Sequence, residues 1–245
     1  MADAQTQAQA NADRAALERA LQQADALDQA LMQALDAEHY RPFDQSDRIL
    51  SSVAAASLAL EHGRAMRTLV AEGMLTAALS LLRVQHEALV RAVWLLYAAS
   101  DLAISKLTAP LSKDAEAAAN KLPMMADMLN QLEDKPAALA PLIALRAFKD
   151  NNSPTLNSFV HGGIHALTRS RSGYPIPVLV GALRNGNGLM LMAVMMLAIL
   201  AGRQPLVHAV SQLQASFSAD LPPPMPTTEP FARSSSSDSA SKAPD

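Results

Sequence analysis

Residues 188–202, GLMLMAVMMLAILAG, contain no charged and no polar side chain. Arg184, Asn185 and Asn187 precede the run and Arg203 closes it. As a helix it spans about 22 Å, short of the ~30 Å hydrocarbon core of a bilayer. The run therefore predicts a helix buried at the centre of a bundle. A membrane-inserted or interfacial segment over 178–202 is the alternative, and stable insertion is not expected.

The material around that helix is also helical. Half of the chain is hydrophobic, but aromatics are 4% and glycines number 9. A core must then come from Leu, Ala, Val, Ile and Met, a composition that favours helix. No segment alternates as a strand does, and no internal repeat is visible. The fold class expected is all-α: a multi-helix bundle of five or more core helices, with a long N-terminal helix and a disordered C-terminal tail.

Leu17, Leu21, Ala24, Leu27, Leu31 and Leu35 recur at three and four, one apolar stripe on a helix that ends before Pro42. Residues 46–71, capped by Asp44 or Ser46 and stopped at Gly73, form the next helix, and 74–100 the third. A short element covers 101–110, and 112–133 is helical with a break at Pro123. A short helix over 137–149 comes next. Ser153 as N-cap and Pro154 at the first helical position then start a helix over 155–171. Tyr174-Pro175-Ile176-Pro177 connects to the central helix, and Pro205 opens a last one ending near Phe217. The domain reading is a frayed 1–12, a single helical domain over 13–217 and a disordered Pro/Ser-rich tail over 218–245.

The formal net charge is −3, which argues against general electrostatic nucleic-acid binding. Cysteine is absent, so disulfides and thiolate chemistry are excluded. MADAQTQAQA has neither a basic n-region nor an apolar h-region, so a cytoplasmic protein is expected. No phosphate loop, dinucleotide turn, serine nucleophile elbow or paired carboxylates appear.

Two polar constellations remain. Arg83, Glu87 and Arg91 form a narrow charged stripe on an otherwise apolar helix. It is either a solvated face held by a Glu87–Arg91 pair or one wall of a polar cleft. On 155–171, Asn157, His161, His165 and Arg169 share a helical face around Gly162-Gly163, a pair that signals close backbone approach or a helix break. The cleft reading joins Arg83 and Glu87 to Asn157 and His161. The ligand-binding set is then Arg83, Glu87, Arg91, Asn157, His161, Arg169 and Arg171, with His161 the catalytic candidate. His161 and His165 have ligand spacing, but Gly162 stands where a zincin has Glu. No metal set and no cofactor are expected.

"ALSLLRVQHEALVRAVWLLYAASD" (78–101) followed by "LNSFVHGGIHALTRSR" resembles a group of uncharacterised bacterial all-helical proteins. The second segment more remotely resembles the HEPN superfamily, helical bundles that are often dimeric and include metal-independent ribonucleases of defence and toxin–antitoxin systems. Asn157 and His161 match the last two positions of that motif. Leu156 stands at its Arg position, so Arg83, Arg169 or Arg171 would have to supply the cation. The resemblance implies a binding or assembly module of a stress or defence system. Such a module would form a homodimer or meet a protein partner, and would take an anionic small ligand or RNA. A HEPN-like ribonuclease is the alternative. A further reading makes Leu17–Leu35 and the Met-rich 188–202 helix the interface to a partner.

Overall fold

The structure is a computed structural model that describes residues 2–223. Among them are ten α-helices, two 3₁₀ turns and no strand: α1 Ala2–Ala37, α2 Asp47–Ala71, α3 Leu75–Tyr97, α4 Asp101–Thr108, α5 Lys113–Ala119, α6 Met125–Gln131, α7 Leu139–Val160, α8 Ile164–Ser172, α9 Ile176–Leu200 and α10 Gln204–Ser216. The chain is an all-α bundle.

The apolar run lies in α9, which packs against α1, α2, α3 and α10. α9 is long and apolar enough to cross a membrane, yet 67% of its most apolar window is buried within the bundle. The stripe of α1 faces inward as well: Leu27 and Leu31 are fully buried, and α1 packs on α9 and α10. Leu17, Leu21 and Leu35 are partly buried and pack against the same core.

α2 and α3 form the tightest hairpin. Ser46 caps α2. After α2, Gly73 turns the chain at φ +73°, with Gly73 N–H on the Val70 carbonyl and Met74 N–H on that of Leu69, a Schellman stop. At the other end Arg48 donates to the Leu95 and Ala99 carbonyls, both at 2.8 Å, and pairs with Asp101. Asp28 of α1, nearly buried, accepts from Arg64 and Arg67 of α2. A buried carboxylate needs such partners.

Two expectations about the second half fail. First, no helix starts at Pro154. α7 runs unbroken through it. Leu142, Leu145, Phe148, Leu156 and Phe159 are all buried and form one continuous stripe across the proline. Burying Leu156 and Phe159 stabilises by roughly 1.5–3 kcal/mol each, which outweighs about 3 kcal/mol for an internal proline. The carbonyl that loses its partner belongs to Asp150, an exposed residue. Second, 155–171 is not one helix. His161 is the C-cap of α7, Gly162 takes φ +64°, and Gly163 is the N-cap of α8. Gly163 N–H reaches the Ser158 carbonyl at 2.7 Å, again the Schellman closure. The glycine pair is a helix break.

The C-terminal boundary also lies later than 218. Ser218–Asp220 form a 3₁₀ turn, the buried Asn187 donates to the Asp220 carbonyl at 3.0 Å, and Leu221 packs on the core. The rest of the tail, from 224, lies outside the described residues. At the N-terminus α1 is helical from Ala2, and residues 5–12 are exposed.

Pro154→Ala is expected to raise stability by about 1–2 kcal/mol in urea denaturation. The gain is the internal-proline cost less the proline's restriction of the unfolded chain. No gain would mean that the helix does not run through residue 154.

Candidate functional site

The charged stripe of α3 closes on itself. Arg83 and Glu87 pair at 2.8–2.9 Å, with side chains 23% and 38% exposed. The partner of Glu87 is thus Arg83, one turn back, and not Arg91, which is exposed. A half-solvated i,i+4 pair contributes at most about 1 kcal/mol. No hydrogen bond or ion pair among the described residues joins Arg83 or Glu87 to Asn157 or His161.

Asn157 and His161 occupy the last turn of α7, and both are exposed. The break at Gly162 turns α8 away from the axis of α7, so His165 and Arg169 no longer share their face. His165 N–H is held by the Ser158 hydroxyl at 2.8 Å. Arg171 is exposed on α8. Arg169 enters a depression of 450 Å³ at the start of α3, beside Tyr174, whose hydroxyl meets that of Thr76 at 2.5 Å. Met74, the N-cap of α3, offers no side-chain acceptor, and the first turn of α3 has no acid. Helix N–H groups and Arg169 there suit an anion in sign. Among the described residues no three of His, Asp and Glu lie together as a metal site.

A more apolar concave surface lies elsewhere. α7 and α9 both pack on α3, and the space between them is a groove of 580 Å³. Its α7 wall is Ala140, Ala144 and Ala147, small residues on one face. Its α9 wall is Met192, Met195 and Ile199, and Leu221 to Pro223 flank it. Phe148, Leu189 and Met196, all buried, form the floor. No lining residue carries a charge. Its polar side chains are Asn151 and Asn152 from α7, Asn185 from α9 and Gln214 from α10.

Those amides are partly committed. Asn151 donates to the Ala147 carbonyl at 2.8 Å and Asn152 to that of Phe148 at 3.0 Å. Asn185 reaches Asn152 Oδ1 only at 3.5 Å. The side-chain oxygens of Asn151 and Asn185 remain available as acceptors, and that of Asn152 keeps a second lone pair. Such a groove, apolar with a few convergent polar groups, has the size and chemistry of a small-molecule site.

The floor is supported from behind by His86. Its ring stacks on Phe148 at 4.5 Å and its Nε2 meets the Leu145 carbonyl at 3.0 Å. Burial pushes the imidazole down to about 4, against the opposing pull of that hydrogen bond. His86 is thus neutral at pH 7 and structural.

Sequence reasoning misses this groove. Its one signal is the Ala140, Ala144, Ala147 spacing, which lies in a segment that reads as a short helix of no consequence. The polar Asn151-Asn152 pair reads as a turn.

Residues 56–223 match the model of a family of unknown function, DUF6988. No curated protein and no solved structure is significantly similar to the chain.

The unfolded His86 takes up a proton near pH 6.5 and the folded one near 4. Stability should therefore be full above pH 6.5 and fall as the pH drops toward 4, by on the order of 3 kcal/mol from this residue. His86→Gln should lack that component of the loss in denaturation curves across this range. An identical pH dependence in both proteins would count against a buried neutral imidazole.

Proposed function

The chain belongs to DUF6988, and we propose that it acts as a binding module that holds a neutral amphiphile in the groove between α7 and α9. The observation that carries this is the lining: methionine and alanine walls without a single charge, with amide side chains as the polar groups and the Asn151 and Asn185 oxygens as acceptors. An elongated apolar body, such as an acyl chain, suits the walls. Methionine adapts its shape to such a body. A hydroxyl or amide N–H on the ligand suits Asn151, Asn152 and Asn185. A carboxylate or phosphate does not, because no cation lines the groove.

The HEPN-like ribonuclease is the competing reading. It rests on Asn157 and His161, which sit together at the exposed end of α7. Leu156 at the Arg position is buried, and neither Arg83 nor Arg169 is bonded to His161. The binding role is therefore the better fit to the geometry, and the anionic or RNA ligand of the resemblance has its support at the other polar surfaces, not in the groove.

Titration with the neutral fluorophore Nile red should show saturable binding to the wild type. Ala144→Trp, which fills the groove, should weaken it at least about tenfold, the loss of roughly 1.4 kcal/mol or more. Unchanged binding in a folded Ala144→Trp protein would remove the groove from the account. Metal-independent RNA cleavage lost in His161→Ala would favour the nuclease reading instead.

A further inference from the structure

One end of the bundle, where α7 stops, α8 crosses and α3 and α9 begin, has a surface unlike the rest. α8 buries a single residue, Ala166. Its outer ridge is Ile164, Leu167, Thr168 and Arg171, at i, i+3, i+4 and i+7. Ile164 is 75% exposed and Leu167 63%. Val160 at the end of α7 and Val178 in the first turn of α9 are exposed beside this ridge in the chain. Scattered exposed apolar residues are ordinary, but several on one end of a bundle are not.

The charge there is one-sided. Between Asp150 and Asp220 the chain has no acidic residue, and the stretch carries Arg169, Arg171, Arg184 and Arg203. Arg203 pairs with Glu38 at the far end of α9. Among the described residues no acid pairs with Arg169, Arg171 or Arg184. The neighbouring α2–α3 turn brings one carboxylate, Glu72.

These features together select the partner. The depression beside α8 takes in Arg169 and Ser170 but not Ile164, Leu167 or Arg171, so an acidic peptide seated there would leave the apolar ridge uncovered. An apolar medium that deforms around Ile164 and Leu167, with anions at its surface for the arginines, fits both the shape and the charge. We propose that α8, with the adjoining ends of α7 and α9, docks on an anionic lipid bilayer. Ile164 and Leu167 enter the headgroup–acyl boundary, and Arg169, Arg171 and Arg184 meet lipid phosphates. α9 stays in the core, so no described helix spans the membrane. The docking residues are separate from the groove lining, so the proposal stands on its own observations. The asparagines of the groove nonetheless lie toward the same end of the bundle, where α7 finishes and α9 begins.

The test is co-sedimentation of the full chain with vesicles of phosphatidylcholine alone and of phosphatidylcholine with one-third phosphatidylglycerol. Wild type should bind the anionic vesicles at low salt, lose binding as salt rises, and leave the neutral vesicles unbound. Ile164→Ser with Leu167→Ser should weaken binding at least about tenfold. Arg169→Gln with Arg171→Gln should weaken it about fivefold per arginine. Both double variants alter exposed or half-exposed positions, and circular dichroism should show wild-type helix content. Ala144→Trp should sediment as wild type does, which separates this proposal from the groove reading. Three results would overturn it: no binding to anionic vesicles, equal binding to neutral ones, or binding that both folded double variants retain. Binding of RNA or an acidic polypeptide without vesicle binding would assign the face to a macromolecular partner and likewise end the proposal.

Discussion

The approach of α2, α3 and α9 at Gly63 sets the rest of the arrangement. A Cβ at Gly63 would lie 2.5 Å from Gln85 Nε2 and 2.7 Å from Met190 Cγ. A larger residue there would have to displace the buried side chains of Gln85 and Met190. Gln85, fully buried, donates to the Gly186 carbonyl of α9 at 3.1 Å. Its other atom, Oε1, has no partner, which costs about 1–3 kcal/mol. Close packing along the three helices offsets that cost. With α9 fixed in this seat, its opposite flank faces α7 across α3, and the small side chains of α7 leave the intervening space open. The groove is a consequence of where α9 is held.

Much of this was legible in the sequence, and the reasons differ by element. The central helix could be read because fifteen successive positions without a polar group demand an apolar environment, and the run is too short for a bilayer core. The stops at Gly73 and the start at Ser46 could be read because caps are local chemistry. Pro154 misled because its local preference, a helix start, was opposed by a stripe that becomes visible only when Leu142 to Phe159 are taken as one segment. Gly162-Gly163 was open to two readings, and a positive φ at Gly162 decides between them. The groove was not legible because it lies between helices far apart in the chain. Ala140, Ala144 and Ala147 say nothing until Met192 and Met195 are placed opposite.

The polar residues that stand out in the sequence are therefore not the walls of the groove between α7 and α9. Arg83 and Glu87 satisfy each other, and Asn157 and His161 close a helix at the solvent boundary. Arg169 and Arg171 gain their interest from what is missing around them, namely any acid on their own segment. A neutral groove and a basic, apolar-tipped end are complementary features of one bundle. One suits an amphiphile, and the other suits the kind of surface on which amphiphiles reside.

Methionine methyl groups report on the groove directly. Met192 and Met195 line its wall, whereas Met66 and Met190 are buried elsewhere in the core. In methyl-labelled protein titrated with a long-chain alcohol, the Met192 and Met195 resonances are expected to shift and saturate while those of Met66 and Met190 stay in place. Shifts spread equally over all four, or absent from Met192 and Met195, would contradict a binding site between α7 and α9.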